Sequence, residues 1–264
     1  MFGKQVVRHL ELAPVTTEPA ATELGRRHDL GTPVPTCGDW TLADLIWHLT
    51  EVQNFWEYII GQRPAGPEQY PVPERPADDR VADLLTDRCT HLVGHLDSAD
   101  PADRAWSWAN EQTVAFTIRR QTHEALVHHI DGVMAVGAEI PSVKPTVAAD
   151  GIDELVTVML SGVPPWATFE REHDSLRLIA ADTGDTWNLG LGRMTGTSPD
   201  SGTTYDLAAF ELLAGLDDPT ATIEAASLDL LLWMWGRRSS ELLTVTGDTD
   251  LATRLRAAIA ESTQ

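Results

Sequence analysis

The segment Asp39–Ile60, DWTLADLIWHLTEVQNFWEYII, decides the fold. Its apolar residues Leu45, Leu49, Val52, Trp56 and Ile59 recur at alternating spacings of four and three, which is one stripe of an α-helix. Thr41 followed three residues later by Asp44 has the form of a capping box and sets the start of that helix. Further along, the loop Gly61–Pro76 holds five prolines and two glycines and breaks the pattern. Val81, Leu85, Cys89, Leu92 and Leu96 resume it. TVAFTIRRQTHEALVHHIDGVMAVG, 113–137, reads as another long helix that stops near Gly137 and Pro141. An earlier helix falls within His9–His28, bent or shortened by Pro14 and Pro19. Four helices joined by loops predict an up-down bundle.

Beyond GAEIPSVKPTVAADG, 137–151, the pattern changes. GIDELVTVML, 151–160, reads as a helix, and SLRLIAADTGDTWNLGLG, 175–192, as two strands around a Thr-Gly-Asp turn. TATIEA, 220–225, and LLTVTGD, 242–248, read as strands; SLDLLLWMWGRR, 227–238, and DLATRLRAAIAES, 250–262, as helices. The expected fold class is α+β: a helical bundle over 1–141, then a smaller α+β domain over 146–264.

Composition excludes some functions. Nineteen basic residues stand against 40 acidic, a net charge of −21, which repels nucleic-acid phosphates and anionic membranes. The longest apolar run, LDLLLWMWG, is far short of a membrane span, and the first residues show no apolar secretory core. Cys37 and Cys89 form no pairing framework. These features fit a cytoplasmic protein with reduced thiols.

The chemistry concentrates in RRQTHEALVHHIDG, 119–132. At about 100° per residue, Glu124 and His128 stand one turn apart on one face, where two side chains can hold one cation. Asp131, Gln121 and Thr117 continue that face. Leu126, Ile130, Val133 and Met134 mark the opposite, apolar one, with His123 on its side and His129 pointing sideways. A polar stripe of this kind is also what a solvated helix face presents. His48, between Leu45 and Val52, is either a core histidine bonded to a carbonyl or a third ligand from a neighbouring helix. Two histidines and one carboxylate leave an open coordination position, the pattern of a catalytic zinc. His91 and His95 are also one turn apart, but no carboxylate shares their turn. No protein nucleophile or phosphate-binding glycine loop is visible, so a bound water or small thiol would supply the nucleophile.

PVPTCGDWTLADLIWHLTEV and RRQTHEALVHHIDG resemble the two motifs of the mycothiol-dependent maleylpyruvate isomerase family, within the DinB-like superfamily. LDLLLWMWGRRSSELLTVTGDTDLATRLRA resembles the family's C-terminal domain. The resemblance covers nearly the whole chain, though the proline expected after Cys37 is missing and the Gly61–Pro76 loop has no counterpart. It implies a DinB-like bundle and a divalent metal, typically zinc, on His48, Glu124 and His128. It implies mycothiol or a related thiol as cosubstrate and a small electrophile as substrate, in S-transfer or cis-trans isomerisation. The thiol sulfur would take the open position and attack as a thiolate. Asp131 then positions a ligand or the thiol, unless it is a surface acid. Arg237 reaches the site from the second domain, unless it only faces a helix C-terminus. Arg120 holds a substrate carboxylate or pairs with Glu124. A small-molecule-binding protein without catalysis and a metal hydrolase are the rival readings. Oligomeric state, monomer or homodimer, stays open.

Overall fold

The computed structural model describes residues 18–160 and 162–262. Helix α1 spans Glu18–Arg27, so the part of the expected first helix before Glu18 lies outside the described residues. Helix α2, Leu42–Gly61, starts where the capping box places it: Thr41 Oγ1 accepts from the Asp44 amide at 3.3 Å, and Asp44 Oδ2 accepts from the Thr41 amide at 2.8 Å. Helices α3, Asp78–Asp97, and α4, Val114–Ala135, complete a four-helix bundle. Its core joins Leu42, Leu45, Ile46 and Leu49 of α2 to Val81, Leu85 and Cys89 of α3.

The helical bundle and the α+β domain after it follow the expected fold class. The helix order departs from simple alternation in one place. Gln53 meets Cys89, Glu57 pairs with His91 at 3.5 Å, and Gly61 lies beside His95. These contacts advance together, so α2 and α3 run parallel. The reason is the long connection between them. Sixteen residues span up to about 53 Å when extended, whereas a 20-residue helix is about 30 Å long, so the loop carries the chain back along the bundle. Helix α4 runs opposite to α2: Gly132 approaches Leu45, His128 lies against His48, and Phe116 lies 6.2 Å from Trp56 between ring centroids. A Cβ at Gly132 would stand 2.9 Å from Leu24 Cδ1, so glycine there lets α4 close on α1 and α2 beside Asp131.

The chain divides into two compact units between Pro141 and Ser142. The second opens with α5, Pro145–Glu154, which runs on into one π-helical turn, Leu155–Met159. Strands β1, Ala167–Ala180, β2, Thr186–Thr197, β3, Thr204–Leu212, β4, Ala221–Ala225, and β5, Thr244–Gly247, form one sheet in the order β3-β2-β1-β4-β5. Among the described residues, only β1 and β4 pair in parallel. Helix α6, Ser227–Met234, packs on α5, β1 and β4, and α7, Asp250–Ser262, on β3. Two features exceed the sequence reading. Strand β3 was not expected, because it is an edge strand with two alanines and a single well-buried apolar side chain, Phe210. The first half of β1, TFEREHD, carries charges, and its ladder with β2 holds it rather than burial. Among the described residues, no helix is long and apolar enough to cross a membrane.

Candidate metal centre

Helices α2 and α4 bring His48, Glu124 and His128 together. One ligand atom from each lies within 4.8 Å of the others. His48 Nε2 is 3.0 Å and His128 Nε2 is 3.4 Å from Glu124 Oε1, so both rings converge on one carboxylate oxygen. The two imidazoles meet edge to face, with centroids 4.9 Å apart. Antiparallel packing of α2 on α4 makes this meeting possible across 76 residues of sequence.

Further groups hold the triad in place. Asp131 is fully buried, and its Oδ2 accepts from His128 Nδ1 at 3.0 Å. That bond selects the tautomer whose Nε2 lone pair faces Glu124 and His48, as the outer partner of a metal-bound histidine does. Arg120 donates to the other oxygen of Glu124 at 3.2 Å, so the i,i+4 ion pair is formed. The Trp40 ring lies 5.0 Å from the His48 ring.

The electrostatics suit a cation. Burial alone would raise the Glu124 carboxyl, but hydrogen bonds from His128 and His48 and the Arg120 charge outweigh it and hold it well below the usual range. Burial alone would lower His128, but bonds with Asp131, Cys37 and Glu124 push it well above the usual histidine value. The cluster thus favours positive charge at this point. Two neutralisable imidazoles and a carboxylate, with the outer nitrogen of one imidazole anchored, are a donor set that fits zinc or a similar divalent ion.

Cys37 is a neighbour that sequence reasoning missed. Its thiol donates to Asp131 Oδ2 at 3.5 Å, and Cys37, His128 and Asp131 form a second convergent group. It sits in the short turn Pro35–Cys37, followed by Gly38 at φ 66°, a left-handed conformation that glycine adopts freely. The only clue in the sequence was its place within the PVPTCGDWT motif.

Other histidines stand apart. His123 is buried on α4, and burial lowers the His129 imidazole. His91 faces Glu57, and neither it nor His95 joins a convergent group among the described residues. The polar face of α4 is not solvated: Thr117, Arg120, Gln121 and Asp131 are all buried. Arg237 follows α6 in the second unit, with its guanidinium bonded to the Trp235 carbonyl and lying 5.8 Å from that ring. The Pro-rich loop lays Tyr70, Val72 and Pro73 against Val52, Phe55 and Trp56 of α2, one to two turns beyond His48.

A helical bundle carrying a two-histidine, one-carboxylate cluster, followed by an α+β domain, defines a class of metal-binding two-domain proteins. Residues 17–131 match the mycothiol maleylpyruvate isomerase N-terminal domain, and residues 146–254 match the MDMPI C-terminal domain. The chain belongs to the mycothiol-dependent maleylpyruvate isomerase family. Two solved structures share its fold. One is a histidine-to-alanine mutant of the mycothiol-dependent maleylpyruvate isomerase, 12% identical, with TM-score 0.60. The other is that isomerase without the substitution, 13% identical, with TM-score 0.56. Each alignment covers 91% of this chain and 93% of the other. No curated protein matches the chain in sequence.

Proposed function

We propose that this chain is a zinc-dependent enzyme that uses mycothiol or a related low-molecular-weight thiol against a small electrophile. The family supplies the coarse part of this reading, a thiol-dependent, metal-associated enzyme. The observation that carries it is the convergence of His48, Glu124 and His128, with His128 anchored by buried Asp131. When bound there, a divalent metal supplies Lewis acidity that lowers the pKa of a thiol in its open position. The chain's own residues prepare that position. Asp131 holds the Nδ1 proton of His128 and keeps Nε2 free to ligate. Arg120 takes one oxygen of Glu124 and leaves the other for the cation. The Trp40 ring packs beside the His48 ring.

The reaction class is attack of the thiol sulfur on an electrophilic carbon. Release of the adduct makes an S-transferase; rotation and loss of the same thiol make a cis-trans isomerase.

The test is metal analysis of the purified protein and of its His48, Glu124 and His128 alanine variants. Stoichiometric zinc in the wild type and its loss in each variant is the expected result; zinc retained by all three contradicts the site. Calorimetric titration of the zinc form with mycothiol then tests the thiol, and no binding at millimolar concentration contradicts that part.

A further inference from the structure

Two buried polar side chains beside the triad have no partner. Thr117 is 0% and Gln121 8% exposed, yet the Thr117 hydroxyl and both amide atoms of Gln121 make no hydrogen bond. Folded interiors rarely leave such groups unpaired, and each one asks for a ligand, a water or an ion. Both residues share the face of α4 that carries Glu124 and His128, all four within an arc of about 60°. From the helical rise, Gln121 lies about 4.5 Å and Thr117 about 10.5 Å along the axis from Glu124. The unpaired groups therefore form a line that begins at the metal centre and leads away from it.

Their chemistry narrows the ligand. Glutamine offers two N–H donors and a carbonyl acceptor, and threonine a hydroxyl that does both. Both are neutral. The adjacent cation, Arg120, is bonded to Glu124. A carboxylate placed here would lose its water and gain no free charge in return. A hydroxyl or an amide would satisfy the pair. A molecule held at the triad by its sulfur and extending along α4 reaches Gln121 first.

We propose that Gln121 binds the hydroxyl- or amide-bearing body of the thiol cosubstrate, and that Thr117, one turn further along the same face, offers that body a second hydrogen bond. This rests on the thiol-dependent reading above and adds a selection rule. A thiol with no hydrogen-bonding body leaves Gln121 unpaired and binds more weakly, because discrimination against a missing polar group is large when the site is buried.

The experiment is calorimetric titration of the zinc-loaded full-length protein with mycothiol and, separately, with propanethiol. Wild type should prefer mycothiol. Gln121→Leu should weaken mycothiol about tenfold, the equivalent of one lost hydrogen bond, with zinc content and propanethiol affinity unchanged. Thr117→Val should weaken mycothiol by a smaller factor, and Thr117→Ser should restore it. If wild type binds mycothiol and Gln121→Leu binds it equally well, or loses both thiols alike, the inference is overturned and the thiol-dependent reading stands. A water-filled polar pair gives that result. If wild type binds neither thiol, the reading itself falls and the inference falls with it.

Discussion

Replacing Asp131 by asparagine preserves the side chain's shape and removes its charge. Asp131 is fully buried, and its Oδ2 lies 3.0 Å from His128 Nδ1. In the variant, the amide oxygen accepts the same bond without the charge, or the amide nitrogen turns toward the ring and favours the wrong tautomer. Charge-assisted bonds are about twice as strong as neutral ones. Loss of such an outer partner costs about 10- to 100-fold in metal affinity, equivalent to about 1.4–2.7 kcal/mol. The assay is competition for zinc between the protein and a chromophoric chelator, with circular dichroism to confirm the fold. Asp131→Asn should bind stoichiometrically at saturating zinc, but with affinity lower by that factor. The pH profile adds a second check. Asp131 is one of the groups that hold His128 above its ordinary value, so in wild type a proton competes with zinc over a wider range. Wild-type affinity should climb further as pH rises, and the gap between the two proteins should widen. A folded variant with wild-type affinity across the pH range would refute the reasoning.

Other expectations follow from the same geometry. In the metal-free protein, the raised His128 contributes stability that is present below its unfolded value of 6.5 and lost as pH rises through its folded value. The depressed Glu124 contributes stability that is present above 4.5 and lost as pH falls through its folded value. Urea denaturation of metal-free protein should therefore show greatest stability between these limits, with saturating zinc removing the alkaline decline; a flat metal-free profile would contradict this. Arg120→Met breaks a buried pair and should destabilise the metal-free protein by about 3–5 kcal/mol. Zinc supplies the missing positive charge, so the loss should be smaller in the loaded form, and equal losses would count against the site. Thr41→Ala removes the cap of α2 and should cost about 1 kcal/mol in chemical denaturation. Phe116→Ala, at a 2% exposed core position, should cost about 3–5 kcal/mol and leave zinc stoichiometry intact, because Phe116 lies two turns from Glu124.

Local patterns were legible because they depend on neighbours in the chain. The stripe from Leu45 to Ile59 and the Thr41–Asp44 box placed α2 almost to the residue. The 100° step placed Glu124 and His128 on one face, and the i,i+4 spacing of Arg120 and Glu124 allowed their ion pair. Strand β3 escaped because an edge strand needs no strong alternation once its neighbour supplies the hydrogen bonds. The burial of Thr117 and Gln121 escaped too, because a polar stripe reads the same on paper whether water or protein covers it.

By itself, then, the sequence determined the helices, the α+β character of the second domain, and which faces carry polar groups. Only the tertiary structure decided the rest. The long Pro-rich loop made α2 and α3 parallel, and the packing that set α4 against α2 carried His48 to Glu124. The turn at Gly38 brought Cys37 beside Asp131. These meetings join residues 76 and 94 positions apart. Helical periodicity reaches only a few turns, so contacts at that separation are set by how apolar stripes pack.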